Sequence, residues 1–127
     1  MFKIVVFDTG DDGLRTIVKD YQEVALRYLW RLDGGGASSR DVWVQVNKDL
    51  MGKSTVSRAS IINFLNKMVD EGALGYTETA GKGGHRRIYS SKYDEAGSKR
   101  YMAKKDISKM LDAWPETMET IEAIKGE

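Results

Sequence analysis

The chain has 127 residues, no cysteine, a single histidine and a formal net charge of +1. That length fits one domain, and the absence of thiols with only one imidazole excludes disulfides, iron–sulfur clusters and Cys- or His-rich metal sites; no cofactor is expected. No apolar run approaches the roughly 20 residues that span a bilayer and no signal-peptide pattern opens the sequence, so the expectation is a soluble, cytoplasmic globular protein without a membrane partner.

The small net charge hides a segregation. Residues 1–36 carry net −1, residues 37–93 net +4 and residues 94–127 net −2. A basic middle between acidic ends points to a local anionic partner.

In chain order, Phe2 to Phe7 reads as a short strand and Asp8 to Gly13 as a turn. Tyr21, Val24, Ala25, Tyr28, Leu29 and Leu32 then recur with helical spacing. Asp20 is the expected cap of this first helix, Glu23 completes a capping box, and Gly34 to Gly36 end it. For a second helix, Ser38 precedes Asp41 by three as a cap, Val42, Val46 and Leu50 form the stripe, and Gly52 closes it. The run from Val42 to Val46 also reads as a strand. A third helix starts at Ser57 as N-cap, with Val56 and Ile61 placed for a hydrophobic staple. It buries Ile61, Leu65, Met68 and Val69, with Phe64 beside them, and ends at Gly72. Two β-like runs, 74–79 and 86–93, flank Gly81-Lys82-Gly83-Gly84, a hairpin signature. Ala103, Ile107, Met110, Leu111 and Trp114 mark a fourth helix. Pro115 is expected at the first position of a fifth, whose stripe is Met118, Ile121 and Ile124.

Three helices followed by a hairpin make a winged helix-turn-helix, so the expected fold is mainly α with a small β-hairpin. It divides into an N-terminal strand and turn (1–13), a winged-helix DNA-binding domain (14–93) and a helical dimerisation segment (94–127). In that arrangement the third helix enters the major groove of double-stranded DNA and the hairpin touches flanking backbone or minor groove. With Ile61, Leu65, Met68 and Val69 inward, Ser60, Asn63 and Lys67 point outward, and Ser57, Arg58 and Ala59 sit at the helix start, where phosphate is favoured. Asn suits adenine, and Arg or Lys suits guanine. The hairpin adds Lys82, His85, Arg86 and Arg87, with no acid between residues 81 and 92. Ile88 is the residue expected to face the core. Arg87 then lies on the opposite face with Tyr89 and is the expected main wing contact, Arg86 the lesser.

The pattern Glu23-x4-Tyr28-Leu29-Trp30, Asp41-Val42, Ser57-x3-Ile61-x3-Leu65-x2-Met68-Val69-x2-Gly72 and Arg87-Ile88-Tyr89 resembles the BlaI/MecI penicillinase-repressor type of winged-helix regulator over residues 14–93. Tyr93-Asp94-Glu95-Ala96-Gly97 is similar to the strand-to-helix junction of the MarR and PadR families. The resemblance implies a homodimeric regulator, usually a repressor, on a palindromic operator. By position it implies helix-three contacts from Arg58, Ala59, Ser60, Asn63 and Lys67. Arg58 stands where those repressors usually carry proline, Ile62 occupies a polar position, and the glycine-rich wing tip and Gly34–Gly36 turn are atypical. Nothing in the sequence supports a β-lactam response.

The apolar residues after the wing, Ala103, Ile107, Met110, Leu111, Trp114, Met118 and Ile121, are expected to form the dimer interface, since a two-fold operator needs a two-fold protein. Docking onto the chain's own winged helix is the competing expectation. Val5-Val6-Phe7-Asp8-Thr9-Gly10 resembles an aspartic-protease signature, but that fold is nearly all β and this chain is mostly helical after residue 14. The acidic loop Asp8 to Asp12 echoes haloacid-dehalogenase-type phosphatases, which need Asp where Gly10 stands. The expectation is therefore a non-enzyme. The alternative is a winged-helix module that binds protein instead of DNA.

Overall fold

The first helix does not start where a capping aspartate would put it. In the computed structural model, which describes residues 19–81 and 84–126, α1 spans Asp20–Arg31. The residue before it is Lys19, whose backbone N–H donates to Gln22 Oε1 at 3.0 Å. Asp20 is thus already in the first turn, where its charge suits the helix dipole, and Glu23 instead accepts from Arg27 one turn on, at 3.2 Å. Ala25, Leu26 and Leu29 are buried. Leu26 lies outside the predicted stripe and is nevertheless core, because α1 is covered on two sides. Asp33 (φ 49°) and Gly34 (φ 85°) turn the chain in the left-handed region.

A two-residue strand, β1 (Ala37–Ser38), follows and was not anticipated. Gly36 leads into it, and a Cβ there would overlap Ile88 Cγ2, so only glycine lets the two backbones approach. Ser38 also caps α2 (Ser39–Asp49). Its Oγ accepts from Asp41 N at 3.1 Å, and Asp41 Oδ2 accepts from Ser38 N at 3.3 Å, a reciprocal capping box. Val42, Val46 and Leu50 are buried in helical register, so the strand alternative over 42–46 is not taken. The helix stops before Met51 (φ 54°) and Gly52 (φ 78°).

Asn47 builds the connection to α3 (Arg58–Asp70). Its amide donates to the carbonyls of Trp43 and Val56 and its Oδ1 accepts from Val56 N at 2.9 Å, while Trp43 Nε1 donates to Val56 O at 3.0 Å. Ser57 caps α3 by accepting from Ser60 N at 3.1 Å. Ile61, Phe64, Leu65 and Met68 are buried; Phe64 takes the place expected for Val69, which is half-buried. Gly72 ends the helix at φ +87°.

The hairpin β2 (Leu74–Gly81) and β3 (Gly84–Ser91) joins β1 in an antiparallel sheet of order β1-β3-β2. The register runs from Leu74↔Ser91 to Gly81↔Gly84. Then α4 (Glu95–Ala113) starts at Asp94, whose Oδ1 accepts from Gly97 N at 2.7 Å. A last helix, α5 (Thr117–Lys125), begins two residues after Pro115 rather than at it.

The described residues thus form five helices and a small three-stranded sheet, a mixed α/β arrangement compatible with a winged helix. Helices α1 to α3 and the sheet share one core. Leu26, Leu29, Val42, Val46, Ile61, Leu65 and Leu74 are fully buried, and each contributes about 1.5–3 kcal/mol relative to exposure. The predicted strand 2–7, the Asp8–Asp12 turn and the Val5–Gly10 signature lie outside the described residues.

Candidate nucleic-acid interface

Burying Ile61, Phe64, Leu65 and Met68 turns the opposite face of α3 to solvent. Ser57, Arg58, Ala59, Asn63 and Lys67 are exposed and Ser60 is half-buried. Among the described residues, Arg58 and Asn63 have no hydrogen-bond or ion-pair partner, so their donors are available to a ligand. Ser57 is different. Its hydroxyl caps the helix and donates to Ser60 Oγ at 2.9 Å, so both serines are occupied with each other.

Lys67 is not an independent outward cation either. It lies near the carboxyls of Glu71 and of Asp106 on α4, both of which are raised above the usual carboxylate range by burial and drawn back by lysines, Lys67 among them. Those acids share its charge with any anion.

The wing is reversed relative to expectation. Tyr89 is buried and faces α3, while Ile88 is half-buried on the other face, against Gly36. Arg87 shares the face of Tyr89, as alternation requires, and so points inward, not out. Its Nη1 donates to Asn66 Oδ1 on α3 at 3.1 Å, and its guanidinium lies 4.0 Å from the centre of the Tyr76 ring. The Tyr89 hydroxyl donates to the same Asn66 oxygen at 2.5 Å. Burial raises the Tyr89 phenol above its ordinary value, against the lowering effect of Arg87, so at neutral pH it is a hydroxyl donor. Arg87 therefore braces the hairpin against α3. Arg86, on the outer face opposite Thr79, is exposed, and so is His85. Lys82 lies outside the described residues.

Sequence reasoning missed Asn66 and Tyr76. The signal was present in the alternation Leu74, Tyr76 against Tyr89, Arg87, and hydropathy misled by preferring Ile88 over a larger aromatic that can reach a polar partner.

The far end of α3 is also held. The Glu71 carbonyl accepts from Tyr101 Oη at 2.8 Å and from Lys105 Nζ, both on α4. Trp30 Nε1 donates to the buried Ser98 Oγ at 3.0 Å, and Arg27 reaches Glu95 at 3.3 Å. The first half of α4 is thus part of the domain. Lys105 and Asp106, past the middle of the helix, still lie against the end of α3. Of the predicted interface residues, Ala103, Ile107, Trp114 and Met118 are exposed, and Met110, Leu111 and Ile121 are half-buried.

Among the described residues there is no group of three or more His, Cys, Asp or Glu side chains that could hold a metal ion, and no helix is long and apolar enough to cross a membrane. Compared with known proteins, the chain matches no family model and no curated protein.

Proposed function

We propose that this chain is a winged helix-turn-helix regulator that binds double-stranded DNA sequence-specifically as a homodimer, most simply as a repressor occupying a palindromic operator. One observation carries the reading: the N-terminal half of α3 offers unpartnered Arg58 and Asn63 and the small Ala59 on a face left open by a buried opposite side, next to a hairpin braced onto the same helix through Asn66. A helix of this kind lies in the major groove with its first residues at the base edges. Arg58 suits a guanine or a phosphate, and Asn63 an adenine. On the wing, Arg86 takes the backbone contact that sequence alone assigned to Arg87.

Glu78 favours a second reading. It is exposed on the wing, directly across from Arg87, and an acid there repels phosphate, which suits a protein-binding module. Selection of bound sites from random duplexes, followed by salt titration, decides between them. The DNA reading expects enriched two-fold sites and an affinity that falls steeply with salt through counterion release. No enrichment, with salt-insensitive or absent binding, overturns it.

A further inference from the structure

Asn66 stands on the open side of α3 as well as under the hairpin. Ala59, Asn63, Asn66 and Asp70 follow one another at i, i+4, i+7 and i+11, so they share one stripe along the side opposite the buried Ile61, Leu65 and Met68. Ala59, Asn63 and Asp70 are exposed; Asn66 is half-buried, because β3 lies against it.

The Asn66 oxygen is already committed. Its Oδ1 accepts from Arg87 Nη1 at 3.1 Å and from the Tyr89 hydroxyl at 2.5 Å, which uses both lone pairs. Arg87 has donors only, so the amide cannot be turned over without setting N–H against N–H. The amide nitrogen is therefore fixed on the other side. Nδ2 makes no hydrogen bond, and among the described residues no side-chain nitrogen or oxygen that lacks a partner is buried. Two N–H donors thus reach solvent from the middle of this stripe, while the acceptor of the same amide is withheld.

Asn63 differs. Its amide has no partner and turns freely, so it offers the donor and acceptor that adenine N7 and N6 require. A locked donor instead meets the N6 amino group of adenine, or the N4 amino group of cytosine, with like polarity. Thymine offers one acceptor, and guanine offers two in the major groove, N7 and O6. We propose that Asn66 reads a guanine beside the base read by Asn63, and that Arg87 and Tyr89 set this choice by holding its oxygen. The two amides are three residues apart, about 4.5 Å along the helix, close to one base step of about 3.4 Å. The inference rests on the DNA reading above and adds to it a second base and the residues that select it. Arg87 is then a positioning residue, which touches Asn66 and not DNA.

The experiment uses the full chain. Sites are selected from random duplexes with the parent, with Asn66→Asp, and with Arg87→Met combined with Tyr89→Phe, and the melting temperature of each chain is measured. Asn66→Asp keeps an oxygen for Arg87 and Tyr89 but has no donor to give. It should melt no lower than the parent and weaken binding to every duplex through its charge. At one position of each half-site it should replace guanine by cytosine, whose N4 amino group a carboxylate accepts from. The changes at Arg87 and Tyr89 free the oxygen, so the same position should take adenine as readily as guanine. A further arm leaves the protein unchanged: 7-deazaguanine, which lacks the N7 acceptor, is put in turn for each guanine of the selected half-site. At one of them binding should fall at least about threefold, and Asn66→Asp should be insensitive there. Unchanged preference in either folded variant, or no guanine at which the 7-deazaguanine effect depends on Asn66, overturns the inference and leaves the DNA reading standing. No enriched site with the parent chain overturns both.

Discussion

The Tyr101 hydroxyl on α4 donates to the Glu71 carbonyl at the end of α3, and it also fills the space that a Cβ at position 72 would occupy. Glycine is therefore required at position 72 twice over, by φ of +87° and by this hydroxyl. Gly72→Ala should destabilise the fold by about 1–3 kcal/mol through backbone strain and overlap. Tyr101→Phe should cost about 1 kcal/mol for the lost hydrogen bond. Combined, the two should cost less than their sum, because removing the hydroxyl relieves the overlap. Chemical denaturation of the four chains checks it; strict additivity would show that the two residues do not compete for one space.

The two wing arginines should separate cleanly. Arg86→Ala should leave the melting temperature nearly unchanged while lowering the log–log salt slope of DNA binding by about one unit. Arg87→Ala should lower the melting temperature, since it removes a hydrogen bond to Asn66 and a cation over Tyr76, together about 1–2 kcal/mol. Thermal melts and isotherms at several salt concentrations distinguish them. The opposite assignment of effects would return Arg87 to the DNA.

Asn63→Ala should relax sequence preference at one position in each half-site and weaken the best site by about 1–3 kcal/mol. Site selection with the variant reads this directly. Equal weakening on selected and random duplexes would make Asn63 a backbone contact.

Glu71 and Asp106 should make stability depend on pH. Burial raises both carboxyls above their ordinary values, so the folded state holds their protons more tightly than the unfolded state does. Such a group costs nothing below its unfolded pKa; the cost grows as pH rises toward the folded pKa and is complete above it. Glu71→Gln should therefore melt higher than the parent chain at neutral pH, and the gain should shrink to nothing in acid. Melting curves from mildly acidic to neutral pH follow the difference; a variant that melts lower than the parent chain at neutral pH, with the deficit vanishing in acid, would mean that the lysines around Glu71 outweigh its burial.

Much of this architecture is legible in the residues themselves. Period and capping chemistry are local: Ser38 with Asp41 and Ser57 with Ser60 form the bonds their spacing implies, and Val42, Val46, Leu50, Ile61 and Leu65 are buried as their stripes require. The open face of α3 follows from those stripes by simple geometry. Tertiary contacts decided what spacing cannot encode. Which face of β3 turns inward depended on whether Tyr89 or Ile88 had a partner across the domain, and Asn66, far away in sequence, supplied it. Strand β1 exists because Gly36 lets the chain approach Ile88. The docking of α4 onto the domain rests on Trp30, Glu71 and their bonds to Ser98, Tyr101 and Lys105. Alternation and helical period determine which side chains share a face; only the packing of distant elements determines which of two faces is covered, because that choice is made by burial and by hydrogen bonds between residues the sequence keeps apart.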